Sequence, residues 1–305
     1  MGNSIKIKFP LIPGTYNVLF ITIDSCRYDT ALRANTPFLN SISKLRKAET
    51  LANYTLPAHI SFFIGKLPIL RDGSEYYLPG IDEIWRSENA RTLKKSVAIN
   101  FRGKTIIDYY INNQYQVIGA GGVSFFRNLP DNVLPLLFPK FLYFERPTNI
   151  LSQNNVPRAT SQFPLANIDK IVSHISDKDP FFLFINCPET HFPFDSPPVT
   201  VTEAYKIAIK KFYSVDSIKY RNLFPSERLG KEEEDLLLDA QKKSLEWIDT
   251  QLKNLVNKLP DNSLPTLLFV SADHGEEFGD GGRYGHAHTH ESVATVPLWS
   301  TILYR

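Results

Sequence analysis

The chain has 305 residues, 43% of them hydrophobic and 22% charged, close to the average for folded domains, so it can bury a full core. A formal charge of +2 gives no reason to expect a nucleic-acid partner, and no stretch is biased enough to form a disordered tail or linker. No domain boundary is visible, and residues 1–305 read as one domain.

Met1 to Pro13 holds no apolar run of signal-peptide length, and no later segment is long and apolar enough to span a bilayer, so the expected location is cytoplasmic with no membrane partner. Met1-Gly2-Asn3-Ser4 departs from a myristoylation signal at Lys6. The first strand is Val18 to Ile23, a nearly continuous apolar run of the kind buried on both faces of a parallel sheet. Asp24 ends it. A carboxylate at a strand end is a hard-metal ligand, or the cap of the following turn. Just beyond, Asp29 is expected to pair with Arg27 or to cap a loop. Cys26 and Cys187, each at the end of an apolar strand, read as small buried side chains in a reducing compartment.

Thr36-Pro37 followed by Leu39, Ile42 and Leu45 predicts a helix with Thr36 as cap and Pro37 in its first turn. Thr55 opens Thr55-Leu56-Pro57-Ala58-His59 on a turn leading into a second helix. There its hydroxyl is either a cap or a nucleophile favoured by the helix N-terminus and by a metal. From Tyr76 to Phe144 aromatics such as Tyr77, Trp85, Phe101, Tyr110 and Phe126 read as core, with a substrate-pocket wall as the other reading. Tyr115 to Ile118 is a weaker strand. Gly119-Ala120-Gly121-Gly122 after it is expected to be a tight turn, and its spacing is not that of a dinucleotide fingerprint.

Phe181 to Asn186 is a third apolar strand, with His191 on the loop beyond it. Leu245, Ile248, Leu252 and Leu255 fall on one face of a helix whose acidic start is Glu232 to Glu234. Thr266 to Ser271 is a fourth strand of the same apolar kind, followed by Asp273-His274-Gly275-Glu276 and by His286, His288 and His290. Adjacent Asp and His supply one oxygen and one nitrogen ligand, and glycines let a further ligand fold back over a metal. Five of the seven histidines, His191, His274, His286, His288 and His290, are placed on one face by this reading. Val296 to Trp299 begins a last strand. Alternating strands and helices make this an α/β fold with a largely parallel central sheet sandwiched by helices. In such folds ligands gather beyond the carboxyl ends of the strands.

These residues resemble the alkaline phosphatase and sulfatase superfamily, near its phosphoethanolamine and phosphoglycerol transferases and its phosphonate monoester hydrolases. The resemblance is carried by Ile23 to Asp29, Thr36 to Leu39, Thr55 to His59, His191 to Phe194, Asp273 to Glu276 with Gly285-His286, and Val296 to Leu298, in family order. It implies an alkaline phosphatase-like domain in which Asp24, Thr55, Asp273 and His274 hold a divalent metal and Thr55 is also the nucleophile. It implies that His191 and His286 contact the phosphoryl group, protonate the leaving oxygen, or hold a second ion. Sulfatases carry Cys or Ser, oxidised to formylglycine, where Thr55 stands, and paired acidic residues where Asp24 is followed by Ser25. The expected fold is alkaline phosphatase-like without a C-terminal sulfatase subdomain.

The expected activity is therefore metal-dependent cleavage of a small soluble phosphoester or phosphonoester by a hydrolase or transferase. Atypical sulfoester hydrolysis and a non-catalytic metal-binding homologue are the alternatives. Manganese or zinc is the expected ion because of the histidines, with magnesium or calcium also compatible.

Overall fold

The computed structural model describes residues 12–50, 52–65, 85–87, 99–101, 104–129, 132–145, 163–194, 196–215 and 228–304, with backbone alone for 85–87 and 99–101. Among the described residues eleven strands run β1 Asn17–Ile23, β2 Arg46–Glu49, β3 Trp85–Ser87, β4 Ile99–Phe101, β5 Gln116–Gly121, β6 Lys140–Tyr143, β7 Phe181–Cys187, β8 Thr266–Ala272, β9 Glu277–Phe278, β10 Tyr284–Gly285 and β11 Thr295–Leu303. Seven form one sheet in the order β2-β11-β8-β1-β7-β5-β6. β8, β1, β7, β5 and β6 are mutually parallel, and β11 is antiparallel to both β8 and β2. The sheet is thus largely parallel, as expected.

Period-two alternation sorts the strand side chains into two helical layers. Leu19, Ile21 and Ile23 of β1, with Phe181, Leu183 and Ile185 of β7, share a cluster with Leu245, Ile248, Leu252 and Leu255 of the long helix Lys231–Lys258. Val18 of β1, with Phe182 and Phe184 of β7, packs on the opposite face with Ile60 and Phe63 of the helix Thr55–Ile64. A third cluster, including Phe192, Phe194, Tyr205, Phe212, Phe278 and Tyr284, joins the His191 loop to the helix Glu203–Val215 and to the β9–β10 pair. Among the described residues no helix is long and apolar enough to cross a membrane.

Two local expectations are corrected. Gly119 and Gly121 lie inside β5 and not in a turn. A Cβ on Gly119 would sit 2.4 Å from a ring carbon of Phe141, so these glycines make room for aromatic rings laid across the strand. The helix Pro37–Ile42 does have Thr36 at its cap position, but the Thr36 side chain does not cap it. Asp249 of the long helix does so from a distance, accepting from the Phe38 and Leu39 amides at 3.1 and 2.8 Å. Tyr110 and Phe126 are core residues as predicted, Tyr109 is 43% exposed, and Tyr77 lies outside the described residues.

Candidate active site

β8, β1 and β7 are neighbours, and their last residues Ala272, Ile23 and Cys187 are in register. The chain segments that follow, beginning at Asp273, Asp24 and Pro188, therefore leave the sheet side by side at its carboxyl edge. The Asp24 amide donates to Cys187 O at 2.9 Å. Ser25 then adopts a left-handed φ of 59°, which turns its N–H onto Asp273 Oδ1 at 3.2 Å. The His274 amide donates to the same oxygen at 2.9 Å. Asp273 Oδ2 is left buried with no hydrogen-bond partner, 3.6 Å from both His274 Nε2 and His59 Nδ1.

Thr55 is the first residue of its helix, and its Oγ1 lies 3.4 Å from Asp24 Oδ2 and 3.4 Å from His274 Nε2. His274 donates its Nδ1–H to Gly275 O at 2.8 Å, which fixes the tautomer that leaves the Nε2 lone pair facing Thr55 and the two aspartates. Asp24, Asp273 and His274 each present one ligand atom within 4.8 Å of the others, and all three are buried. Convergent oxygen and nitrogen donors, an orphaned buried carboxylate oxygen and an imidazole held with its lone pair inward fit a divalent cation.

The electrostatics agree. Burial and the neighbouring Asp24 push the Asp273 carboxyl well above its ordinary range. Burial would also raise Asp24, but the surrounding His191, His274, His59 and His286 hold it below the ordinary carboxylate range. Burial, with His286 alongside, lowers His274 to about 3, so its ring is neutral near pH 7. Two aspartates confined beside a neutral imidazole leave local negative charge for a cation to offset.

His191 and His286 stand together beside this cluster. Their ring centroids are 5.3 Å apart, the His286 centroid is 4.5 Å from that of His274, and His191 Nε2 is 4.0 Å from Asp24 Oδ1. His191 donates Nδ1–H to Phe192 O at 2.7 Å, and His286 Nδ1 meets Glu276 Oε1 at 2.9 Å. Burial would raise Glu276, but the charge and hydrogen bond of His286 hold it low.

The structure thus brings together Asp24, Thr55, Asp273, His274, His191 and His286. It separates His288 and His290 from them. His288 Nε2 pairs with Glu277 Oε2 at 2.6 Å, His290 Nδ1 lies 3.7 Å from the same carboxylate, and both brace the loop that returns His286. His59 joins the site in their place, in contact with the Thr55 carbonyl and with Asp273. Its position four residues after Thr55 on one helix face was the available clue. Arg27 pairs with Asp29 as expected, at 2.7 Å, and also with Asp280 at 2.5 Å, tying the first loop to the β9–β10 segment. Cys26 and Cys187 are both fully buried.

The Sulfatase family model matches residues 16–298. Among solved structures, the phosphonate monoester hydrolase SpPMH from Silicibacter pomeroyi is similar with a TM-score of 0.61 and 16% identity, over 93% of this chain and 67% of that one. The phosphoglycerol transferase GacH of Streptococcus pyogenes, in complex with sn-glycerol-1-phosphate, gives 0.57 and 13% over 95% and 68%. The C-terminal periplasmic domain of EcEptC from Escherichia coli gives 0.54 and 14% over 94% and 73%. No curated protein sequence matches. These likenesses show a shared fold. With a family match that runs from the residue before β1 into β11, the chain belongs to the Sulfatase family, within the alkaline phosphatase and sulfatase superfamily.

Proposed function

We propose that this chain is a metal-dependent hydrolase or transferase that cleaves a phosphoester or phosphonoester, with the Thr55 hydroxyl as nucleophile. The observation that carries the reading is Thr55 Oγ1 lying 3.4 Å from both Asp24 Oδ2 and His274 Nε2 at a helix start. Asp24, Thr55, Asp273 and His274 hold the ion. Its imidazole ligand favours Mn2+ or Zn2+, and its carboxylates also admit Mg2+ or Ca2+. An EcEptC structure in complex with Zn supports a divalent ion in this fold. When bound, the cation lowers the pKa of the hydroxyl and offsets charge on the phosphoryl oxygens.

The protein's own residues supply the rest. The ten-residue helix that Thr55 opens turns its amide N–H groups and partial positive charge toward the reacting oxygen. His191 and His286 bind the transferring phosphoryl group and protonate the leaving oxygen, with Glu276 fixing the His286 ring through Nδ1. Phosphorus esters are preferred to sulfate esters because Thr55 stands where sulfatases carry the Cys or Ser that becomes formylglycine.

The substrate in this reading is small and soluble, neither nucleic acid nor membrane lipid, in keeping with the formal charge of +2. The cytoplasmic location expected from the sequence draws no support from the comparisons, since the EcEptC neighbour is a periplasmic domain.

The test is metal content by elemental analysis of wild type and Asp273→Asn, paired with hydrolysis of bis-p-nitrophenyl phosphate, a phenylphosphonate ester and p-nitrophenyl sulfate. Metal held by wild type alone, with phosphorus-ester cleavage that Thr55→Ala abolishes, is the expected result. Faster cleavage of the sulfate would select sulfoester chemistry, and tight metal without turnover of any ester would select a binding protein.

A further inference from the structure

Gln241 lies on the long helix, outside every motif of the site, yet it is completely buried and every polar atom of its amide is engaged. Its Nε2 donates to the Ser25 carbonyl at 2.8 Å and to the Thr190 carbonyl at 3.2 Å. Its Oε1 accepts from Thr30 Oγ1 at 2.7 Å. Ser25 follows Asp24 and Thr190 precedes His191, so one side chain grips the two loops at their functional residues. Thr190 ties them further by donating its hydroxyl to the Asp24 carbonyl at 2.6 Å.

Ser25 is the point of strain. A non-glycine residue at φ 59° occupies the left-handed region, which its side chain disfavours, and such a conformation persists where the surroundings over-determine it. Here the Ser25 N–H is held by Asp273 Oδ1 and the Ser25 carbonyl by Gln241. The two ends of this residue therefore set how the Asp24 and Asp273 carboxylates face each other. The Asp273 end belongs to the metal cluster itself, whereas the Gln241 end is supplied from the opposite side by the helix.

We propose that Gln241 is a positioning residue that holds the left-handed Ser25 turn and the His191 loop, and through them sets the metal affinity of the Asp24, Asp273 and His274 cluster. The inference rests on the metal reading given under Proposed function. Removing an outer partner that orients a ligand weakens metal affinity by roughly tenfold or more. Gln241→Met keeps the length and volume of the side chain and removes all three hydrogen bonds.

The experiment is calorimetric titration of metal-free protein with Mn2+ and with Zn2+, alongside thermal unfolding. Gln241→Met is expected to bind about tenfold more weakly while still unfolding cooperatively. Thr30→Val, which frees only the Oε1 end of the amide, is a milder variant and shifts the affinity in the same direction. The decisive arm is Ser25→Gly placed in the Gln241→Met background. Glycine adopts positive φ without steric cost, so it restores affinity if holding that turn is what Gln241 does. Wild-type affinity in Gln241→Met, or a loss that Ser25→Gly leaves untouched, overturns the role of Gln241. Absence of Mn2+ and Zn2+ binding in wild type overturns the metal reading, and this inference with it.

Discussion

His59 Nδ1 lies 2.8 Å from the backbone carbonyl of Thr55, one helical turn before it, and the opposite ring nitrogen lies 2.9 Å from Thr22 Oγ1. Since a carbonyl only accepts, His59 donates through Nδ1 and takes the Thr22 hydroxyl at Nε2, which fixes its tautomer and fastens the Thr55 turn to β1. The ring is fully buried with Phe126 at 5.0 Å and Phe184 at 5.7 Å. His59→Ala should destabilise the protein by about 3 kcal/mol, through a cavity and two orphaned partners. His59→Asn carries an amide N–H that can reach the Thr55 carbonyl and should recover part of the loss. Denaturant unfolding of the two variants measures both, and equal losses would count against a positioning bond.

The same residue predicts a pH dependence. Burial lowers His59 from its ordinary 6.5 to about 4. A group whose folded pKa is depressed contributes stability in full above its unfolded pKa, and that stability is lost as pH falls toward the folded value. The window therefore runs from about pH 6.5 down to about pH 4, and each such histidine contributes a slope of about 1.4 kcal/mol per pH unit. His274, lowered to about 3, adds a second proton over the same range. Denaturant titrations of metal-free protein at several pH values in this window should give wild type a slope one proton steeper than His59→Asn. Identical slopes would show that His59 does not titrate with unfolding.

Glu277 is buried and uses both oxygens. Oε1 accepts from the Gly281 and Arg283 amides at 2.6 and 2.9 Å, and Oε2 pairs with His288 at 2.6 Å. Glu277→Gln should cost about 1–3 kcal/mol, since an amide in place of the carboxylate leaves a buried donor of this loop without its acceptor. The loss should concentrate in the loop that carries His286. Hydrogen exchange over residues 279–290 is the readout, and unchanged protection there would remove Glu277 from this role.

Gly275 lies between His274 and Glu276, and a Cβ there would come within 1.9 Å of the Ser292 carbonyl oxygen. Its own N–H donates to Val293 O at 2.8 Å, so the two segments cannot separate without breaking that bond. Gly275→Ala should cost roughly 1–3 kcal/mol by overpacking and pull His274 from its partners. Metal titration should show weaker binding, whereas a variant as stable and as tight as wild type would indicate that the helix Glu291–Ala294 gives way freely.

Much of the site is legible along the chain because strand ends are. The apolar runs of β1, β7 and β8 locate three carboxyl edges, and Asp24, His191 and Asp273-His274 follow them closely, so one-dimensional pattern suffices to place those residues. Thr55 is legible as a helix opener for the same reason. What the pattern cannot carry is choice of partner. Thr36 reads as a cap, yet Asp249, 213 positions away in the sequence, takes the amides, because a buried carboxylate on a packed helix outcompetes a local hydroxyl. The glycines of β5 read as a turn, and only the rings of Phe138 and Phe141 reveal why a strand lacks side chains there.

Histidine placement divides in the same way. Sequence proximity to Asp273 groups His274, His286, His288 and His290, but the loop folds so that Glu276 takes His286 to the site and Glu277 keeps His288 out of it. By itself, then, the sequence determined the α/β class and the residue types of the candidate site, since both follow from periodicity and from chemistry at element ends. Only the tertiary structure decided which buried polar groups hold them. Gln241 and His59 act across long sequence separations and Glu277 across the fold of one loop, and their bonds exist only once packing has excluded water and made an unpaired polar group costly.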